Sequence, residues 1–349
     1  MAERKISTAD LDHILTTTAP LWEEMRDQRL FITGGTGFFG CWLLESFSHI
    51  NRQLNLNAQA TVLTRDPAAF ALKCPQIAAD PALTFLKGDV RTYDFPTGDF
   101  PFVIHAATET TAKQGPNQPT ELLTAIIDGT EHTLEFARTH ATRKLLLTSS
   151  GAVYGKQPGN LTHIPEDYLG APNPLDPASV YGEGKRIAEQ MCALTATNSD
   201  IQIKIARCFA FVGPHLPLDA HFAIGNFIGD VLANRPINIG GDGTPRRSYL
   251  YAADLAIWLW TMLFKAPSLV PINVGSGNDL SILELAQAVA QTLNPSTDIQ
   301  VAKQSIPGAV PARYVPSVDR AKDMLGLTEI IDLPESIRRT AAWHLEGGS

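Results

Sequence analysis

The chain has 349 residues, about two domains' worth on a prior of roughly 150 residues each. Apolar residues make up 44% and charged residues 18%, which excludes a collagen, a coiled coil and a wholly disordered chain. The formal charge of −8 gives no general attraction to phosphate backbones or anionic lipid, so neither nucleic acid nor a membrane is an expected partner and an anionic ligand needs a local site.

Leu11, Ile14, Leu15, Leu21, Trp22 and Met25 fall near helical spacing, which predicts a helical leader over residues 1–28, interrupted around Pro20. The opening Met1-Ala2-Glu3-Arg4-Lys5 leads into polar residues where a signal peptide would have an apolar stretch. The longest strongly apolar run, Leu255 to Phe264, has ten residues against the roughly 20 needed to cross a bilayer. A cytoplasmic protein is the expectation. Cys41, Cys74, Cys192 and Cys208 lie far apart with no Cys-x-x-Cys pair and no histidine at zinc spacing, so buried free thiols are expected, and no metal.

From Arg29 onward, short apolar runs at Arg29–Thr33, Ala60–Leu63, Thr84–Leu86, Phe102–His105, Lys144–Thr148 and Ile203–Ala206 alternate with helical patterns that include Phe39–Phe47, Thr120–Thr139 and Pro177–Ala196. Strands apolar throughout and separated by helices predict an α/β fold built on a doubly wound parallel sheet. The first strand runs into Gly34-Gly35-Thr36-Gly37-Phe38-Phe39-Gly40 and then an apolar helix. In that order Gly34 permits a tight bend, Gly37 lets backbone approach a pyrophosphate, and Gly40 lets helix and strand pack closely. The first helical amides, those of Phe38, Phe39 and Gly40, face the phosphates. A dinucleotide-binding Rossmann domain over 29–210 follows, bound to NAD or NADP. The region 211–349, rich in Gly and Pro, is read as a smaller and mainly substrate-binding part, with segments that return to the sheet.

The second strand ends Thr64-Arg65-Asp66, where an NAD enzyme normally places an acid for the ribose hydroxyls. Thr64 does not serve that purpose. Arg65 has three open uses: pairing with a 2′-phosphate, stacking on adenine, or facing solvent. Farther on, Tyr181 and Lys185 stand four apart at the start of a helical pattern, hence on one face. A phenol titrates near 10, and becomes a usable base only where an ammonium and a cationic ring stabilise its anion.

The spacing Gly-x-x-Gly-x-x-Gly resembles the extended short-chain dehydrogenase/reductases of the NAD-dependent epimerase/dehydratase family, which act on nucleotide sugars. Gly88-Asp89-Val90 resembles the segment that contacts adenine there, and His105-Ala106-Ala107 one that lies beside the cofactor. Ser149-Ser150-Gly151-Ala152-Val153-Tyr154-Gly155 resembles the family's Ser-Ser-x-x-Val-Tyr-Gly, which implies that Ser150 is catalytic with Tyr181 and Lys185, and that Ser149 is structural or a weaker partner. The likeness extends through Arg207–Pro214 and Gly241–Tyr249 to about residue 327. It implies a nucleotide diphosphate-sugar substrate, with Arg247 clamping the diphosphate and Arg313 as a second arm. Asn226 either bonds the substrate or caps a helix, and Thr108 and Glu109 lie on the substrate side.

Departures bear on the reaction. Gly151 and Ala152 stand where dehydratases of the family carry an Asp-Glu pair, decarboxylases keep a nearby glutamate, and 3,5-epimerases a cysteine. Ile126 replaces a structural asparagine. The resemblance therefore implies first an epimerase acting through a transient 4-keto sugar. A uronate decarboxylase, a 4,6-dehydratase or a ketosugar reductase stays open through Glu109, and a non-catalytic dinucleotide-sensing protein is the alternative of another class. The helical segments 120–139 and 177–196 resemble the pair that joins subunits, which implies a homodimer.

Overall fold

The computed structural model describes residues 5–107, 119–220 and 222–346. Seven strands form the central sheet: β1 (Arg29–Thr33), β2 (Gln59–Thr64), β3 (Leu83–Lys87), β4 (Phe102–His105), β5 (Lys144–Ser150), β6 (Gln202–Cys208) and β7 (Pro271–Val274). All neighbours run parallel, in the order β7-β6-β5-β4-β1-β2-β3. Chain direction across the sheet reverses between β1 and β4. In an open parallel sheet that reversal leaves a crevice beyond the carboxyl ends of the two strands, where ligands bind.

The strands are apolar throughout because both faces are covered. Leu30, Ile32, Phe102, Ile104 and Leu146 point into one core, whereas their sequence neighbours Phe31, Val103, Leu145 and Leu147 point into the other. The first core is covered by α2 (Phe38–Leu54) and α5 (Ala252–Lys265), the second by α3 (Pro119–Thr139) and α4 (Val180–Thr197). Both β5 and β6 run two residues past their expected ends, so that Ser149 and Ser150 lie in the ladder opposite Arg207 and Cys208. The return from the later region takes two forms, the strand β7 beside β6 and the helix α5. A third cluster around Ile224, Ile228, Leu285 and Ile337 organises much of the remainder.

The leader forms α1 (Thr8–Thr18), capped by the Ser7 hydroxyl, and then a 3-10 helix over Ala19–Met25 with Pro20 as its second residue, where the missing N–H and fixed φ end the α-helix. It is part of the core and not an appendage. Trp22 is fully buried, with its ring 4.7 Å from Trp260 and 5.5 Å from Phe264, and its indole N–H donates to Thr18 at 2.9 Å. Asp10, also buried, accepts from the Tyr251 hydroxyl at 2.9 Å and from Arg339 near the end of the fold. Among the described residues no helix is long and apolar enough to cross a membrane.

Truncating Trp22 removes a fully buried indole that no solvent-side shift refills. Trp22→Ala is expected to cost about 3–5 kcal/mol in urea unfolding. A loss below about 1 kcal/mol would show that the leader is peripheral.

Candidate active site

The glycine turn after β1 is shaped by backbone contact. Gly34 has φ +74°, and a Cβ there would stand 2.5 Å from the carbonyl carbon and oxygen of Ala106, so only glycine lets the turn pass the end of β4. A Cβ on Gly40 would stand 2.2 Å from the Gly35 carbonyl, which closes α2 onto the turn. Gly37 differs, since an added Cβ would meet only the Gly34 oxygen, at 3.6 Å, and otherwise open space. It is the residue before α2, so the first-turn amides of Phe38, Phe39 and Gly40 have no acceptor within the helix and point into that space. The Phe39 ring packs edge-on against Phe211 at 5.0 Å, which leaves its backbone as the part facing the crevice.

At the end of β2, Thr64 is buried and its carbonyl accepts from Gly88. Arg65 is exposed. Asp66 is committed to capping the following helix, its carboxylate accepting from the Ala69 amide at 2.9 Å. Asp89 is gripped by Arg91 through two of its guanidinium nitrogens, each at 2.8 Å; that bond above all, with Arg65 adding its charge, holds its carboxyl down at about 2. Val90 packs against Gly129 of α3, where a Cβ would come within 2.8 Å of it. The His105 side chain turns inward, away from the crevice. Nδ1 lies 2.7 Å from the Thr33 hydroxyl and Nε2 3.1 Å from that of Thr130, and burial, aided by the Lys185 charge, lowers the imidazole to about 3. It is a neutral strut between β1, β4 and α3, while Ala106 and Ala107 bond through their amides to Thr33.

Ser150 ends β5, and its hydroxyl accepts from the Ala152 amide at 3.1 Å. Burial pushes the phenol of Tyr181, in the first turn of α4, up to about 12, and the Ser150 hydroxyl near it acts in the opposite direction. One turn on, Lys185 donates to the Thr148 carbonyl at 2.8 Å, with its ammonium 6.0 Å from the Tyr181 ring centroid. Burial lowers that ammonium to about 8, against which Cys208 and Glu189 pull upward. Ser149 is used otherwise, donating to Glu189 at 2.5 Å, and Glu189 holds Arg207 through both oxygens.

Sequence reading missed a second hydroxyl here. Tyr314 Oη lies 3.4 Å from Ser150 Oγ, on a ring 4.7 Å from that of Phe209, and burial raises its phenol. Its strand, Arg313–Tyr314, pairs with Arg246–Arg247 in matching register. The alternation of strands divides these four side chains between two faces. Arg247 lies over the Tyr314 ring, 5.9 Å from its centroid, whereas Arg246 and Arg313 both pair with Asp279. Arg313 is thus held with Arg246, apart from Tyr314. No periodicity in a two-residue strand announces which of its members faces the serine.

Asn226 lies inside the helix Ala223–Leu232, whose cap position is Phe222, so capping is not its role. A side chain at Gly151 would meet the Phe209 ring at 2.6 Å. Thr108 and Glu109 lie outside the described residues.

Known proteins share this fold. UDP-glucuronic acid decarboxylase 3 of Arabidopsis thaliana is 29% identical over 89% of this chain and 87% of its own. UDP-N-acetylglucosamine 4-epimerase from Methanobrevibacter ruminantium M1, in complex with UDP-N-acetylmuramic acid, superimposes with a TM-score of 0.78 at 20% identity, covering 93% of this chain and all of that one. UDP-glucuronic acid 4-epimerase from Bacillus cereus, in complex with UDP-glucuronic acid and NAD, gives 0.73 at 24% identity over 90% of this chain and 98% of its own. These likenesses show the fold. The model of the NAD dependent epimerase/dehydratase family matches residues 30–275, and with the glycine turn at the β1–β4 crevice this establishes that the chain belongs to that family.

Proposed function

We propose that the chain is a nucleotide-sugar epimerase acting through a transient 4-keto sugar, with Ser150, Tyr181 and Lys185 handling the proton. The observation that carries this reading is the joining of that trio to Gly151 and Ala152. Neither residue beyond Ser150 moves a proton, and Glu189 behind it is occupied by Arg207 and Ser149. Among the described residues such a site serves removal and return of one hydroxyl proton, and elimination would need a further acid such as Glu109.

A nicotinamide dinucleotide bound along Gly34–Gly40, Arg65, Asp89–Val90 and Ala106–Ala107 supplies the hydride acceptor and donor, and a cationic ring. Tyr181 takes the sugar hydroxyl proton and Ser150 holds the reacting oxygen. With the phenol at about 12 in the protein alone, phenolate is scarce at neutral pH until a cation lies beside it. Lys185 is fixed by Thr148 on the same helix face as Tyr181 and supplies one positive charge. Arg247, half-buried beside Tyr314, suits a diphosphate oxygen better than Arg313, whose guanidinium Asp279 already engages. The same reading makes the protein a homodimer through α3 and α4, the latter exposing Ile187 and Leu194.

Decarboxylation is the second reading, favoured by the names of relatives such as the one from Arabidopsis thaliana. Solvent deuterium separates the two when UDP-hexoses and UDP-glucuronate are incubated with the protein and NAD or NADP. Epimerisation inverts C4 and leaves C5 unlabelled, whereas decarboxylation releases carbon dioxide and draws a solvent deuteron to C5. We expect the first, and loss of carbon dioxide would replace it with the second.

Tyr181→Phe is expected to stay folded and lower kcat by about 100-fold or more. Tyr314→Phe, which removes only the second hydroxyl at Ser150, is expected to lower kcat about tenfold with KM little changed; an unchanged kcat would leave Tyr314 a packing residue. Arg65, exposed at the end of β2, is read as the partner of a 2′-phosphate. Arg65→Ala is therefore expected to weaken NADP about tenfold and leave NAD unaltered, as calorimetry would measure. Equal losses for both would remove that role.

A further inference from the structure

Three side chains unused by the site above meet behind the glycine turn. Cys41 follows Gly40 in α2, Cys74 lies between the short helices Pro67–Lys73 and Pro75–Ala78, and His215 follows Gly213-Pro214. Their sulfur and ring-nitrogen atoms all lie within 4.8 Å of one another. All three are buried, at 0%, 1% and 6% exposure.

The histidine tautomer is settled by its neighbour. Nε2 lies 3.0 Å from Glu45 Oε1, and a carboxylate only accepts, so Nε2 carries the hydrogen. Glu45 stands one turn after Cys41 on α2, and its other oxygen accepts from the Ile6 amide at 3.0 Å. Nδ1 is buried and makes no hydrogen bond of good geometry, and the Cys74 thiol is near enough to act on the imidazole. A histidine that donates one ring nitrogen to a carboxylate and presents the other to two thiols has the arrangement found at metal-bound histidines, where the carboxylate fixes orientation and basicity. Leaving such an atom poorly satisfied is unfavourable, and a bound ion removes that cost.

We propose that Cys41, Cys74 and His215 form a site for a thiophilic divalent cation of the zinc class. Sulfur and imidazole donors select such an ion over magnesium or calcium, which take oxygen. Two thiolates neutralise its charge, so the occupied cluster is compatible with an apolar interior. Bond lengths of about 2.3 Å to sulfur and 2.0–2.1 Å to nitrogen set donor separations of roughly 3.5–3.8 Å, so the three atoms close by about 1.3 Å or less. Three protein donors leave one position of a tetrahedral ion to a small exogenous ligand. The ion would tie the start of α2 to the Cys74 corner and to the loop that carries His215.

The spacing concealed this site: the ligands are separated by 33 and 141 residues, far from any zinc-motif interval. The test uses the full chain, purified under reducing conditions, and unfolded and refolded with cobalt(II) in place of zinc because the site is closed. One equivalent of cobalt is expected to bind and give near-ultraviolet thiolate-to-metal absorption in the unsubstituted protein, and zinc is expected to abolish it. Cys74→Ala, with folding checked by circular dichroism, is expected to lose the band. Glu45→Gln is expected to weaken zinc about 10–100-fold against a chromophoric chelator. Absence of the band in the unsubstituted protein, its persistence in folded Cys74→Ala, or a Cys41–Cys74 disulfide found by non-reducing mass spectrometry would each overturn the proposal.

Discussion

At Gly34 the chain leaving β1 passes the end of β4 with no room for a Cβ, and at Gly40 the helix that follows closes on the same turn with still less. Everything at the crevice takes its position from these two approaches. They bring the first-turn amides of α2 level with the ends of β1 and β4, and they make Ala106 and Ala107 the floor of the same space. A methyl group at either position would have to move backbone, not a side chain, because the atoms it meets are peptide carbons and oxygens.

A second constraint lies behind β5. Ser149, Glu189, Arg207 and Tyr154 form a partly buried polar chain, in which Arg207 also lies 4.7 Å from the Tyr154 ring centroid and Tyr154 donates to Asn273 at 2.7 Å. Asn273 donates through its amide to Glu166 at 2.9 Å, which ties β7 to the loop before α4. Removing one partner would leave the other charge partly desolvated and unpaired, so the network resists rearrangement even where its net contribution to stability is small. Its consequence for the site is positional. Ser149 is fixed through Glu189, and Ser150 next to it is thereby pointed toward Tyr181 and Tyr314.

Much of this was legible in the residues. The period-2 placement of Leu30, Phe31 and Ile32 against two cores is what an uninterrupted apolar run means in a parallel sheet, and Pro20 marked the end of α1. Tyr181 and Lys185 were readable because helical spacing alone puts them on one face. Other features depend on contacts that a linear pattern does not encode. The β7 strand is four residues long and opens with proline, too short to carry a period. His105 reads as a cofactor neighbour, yet Thr33 and Thr130 draw its ring inside. Tyr314 meets Ser150 across 164 residues of sequence, and Arg313, beside it, faces the other way because adjacent strand residues alternate.

The Asp10–Arg339 pair joins residues 329 apart, and Tyr251 closes on the same carboxylate. On the ribosome, α1 emerges long before its cation exists, so a nascent chain that buried Asp10 early would hold an uncompensated charge. The ion pair that fixes Asp10 is therefore completed only once Arg339 has been made.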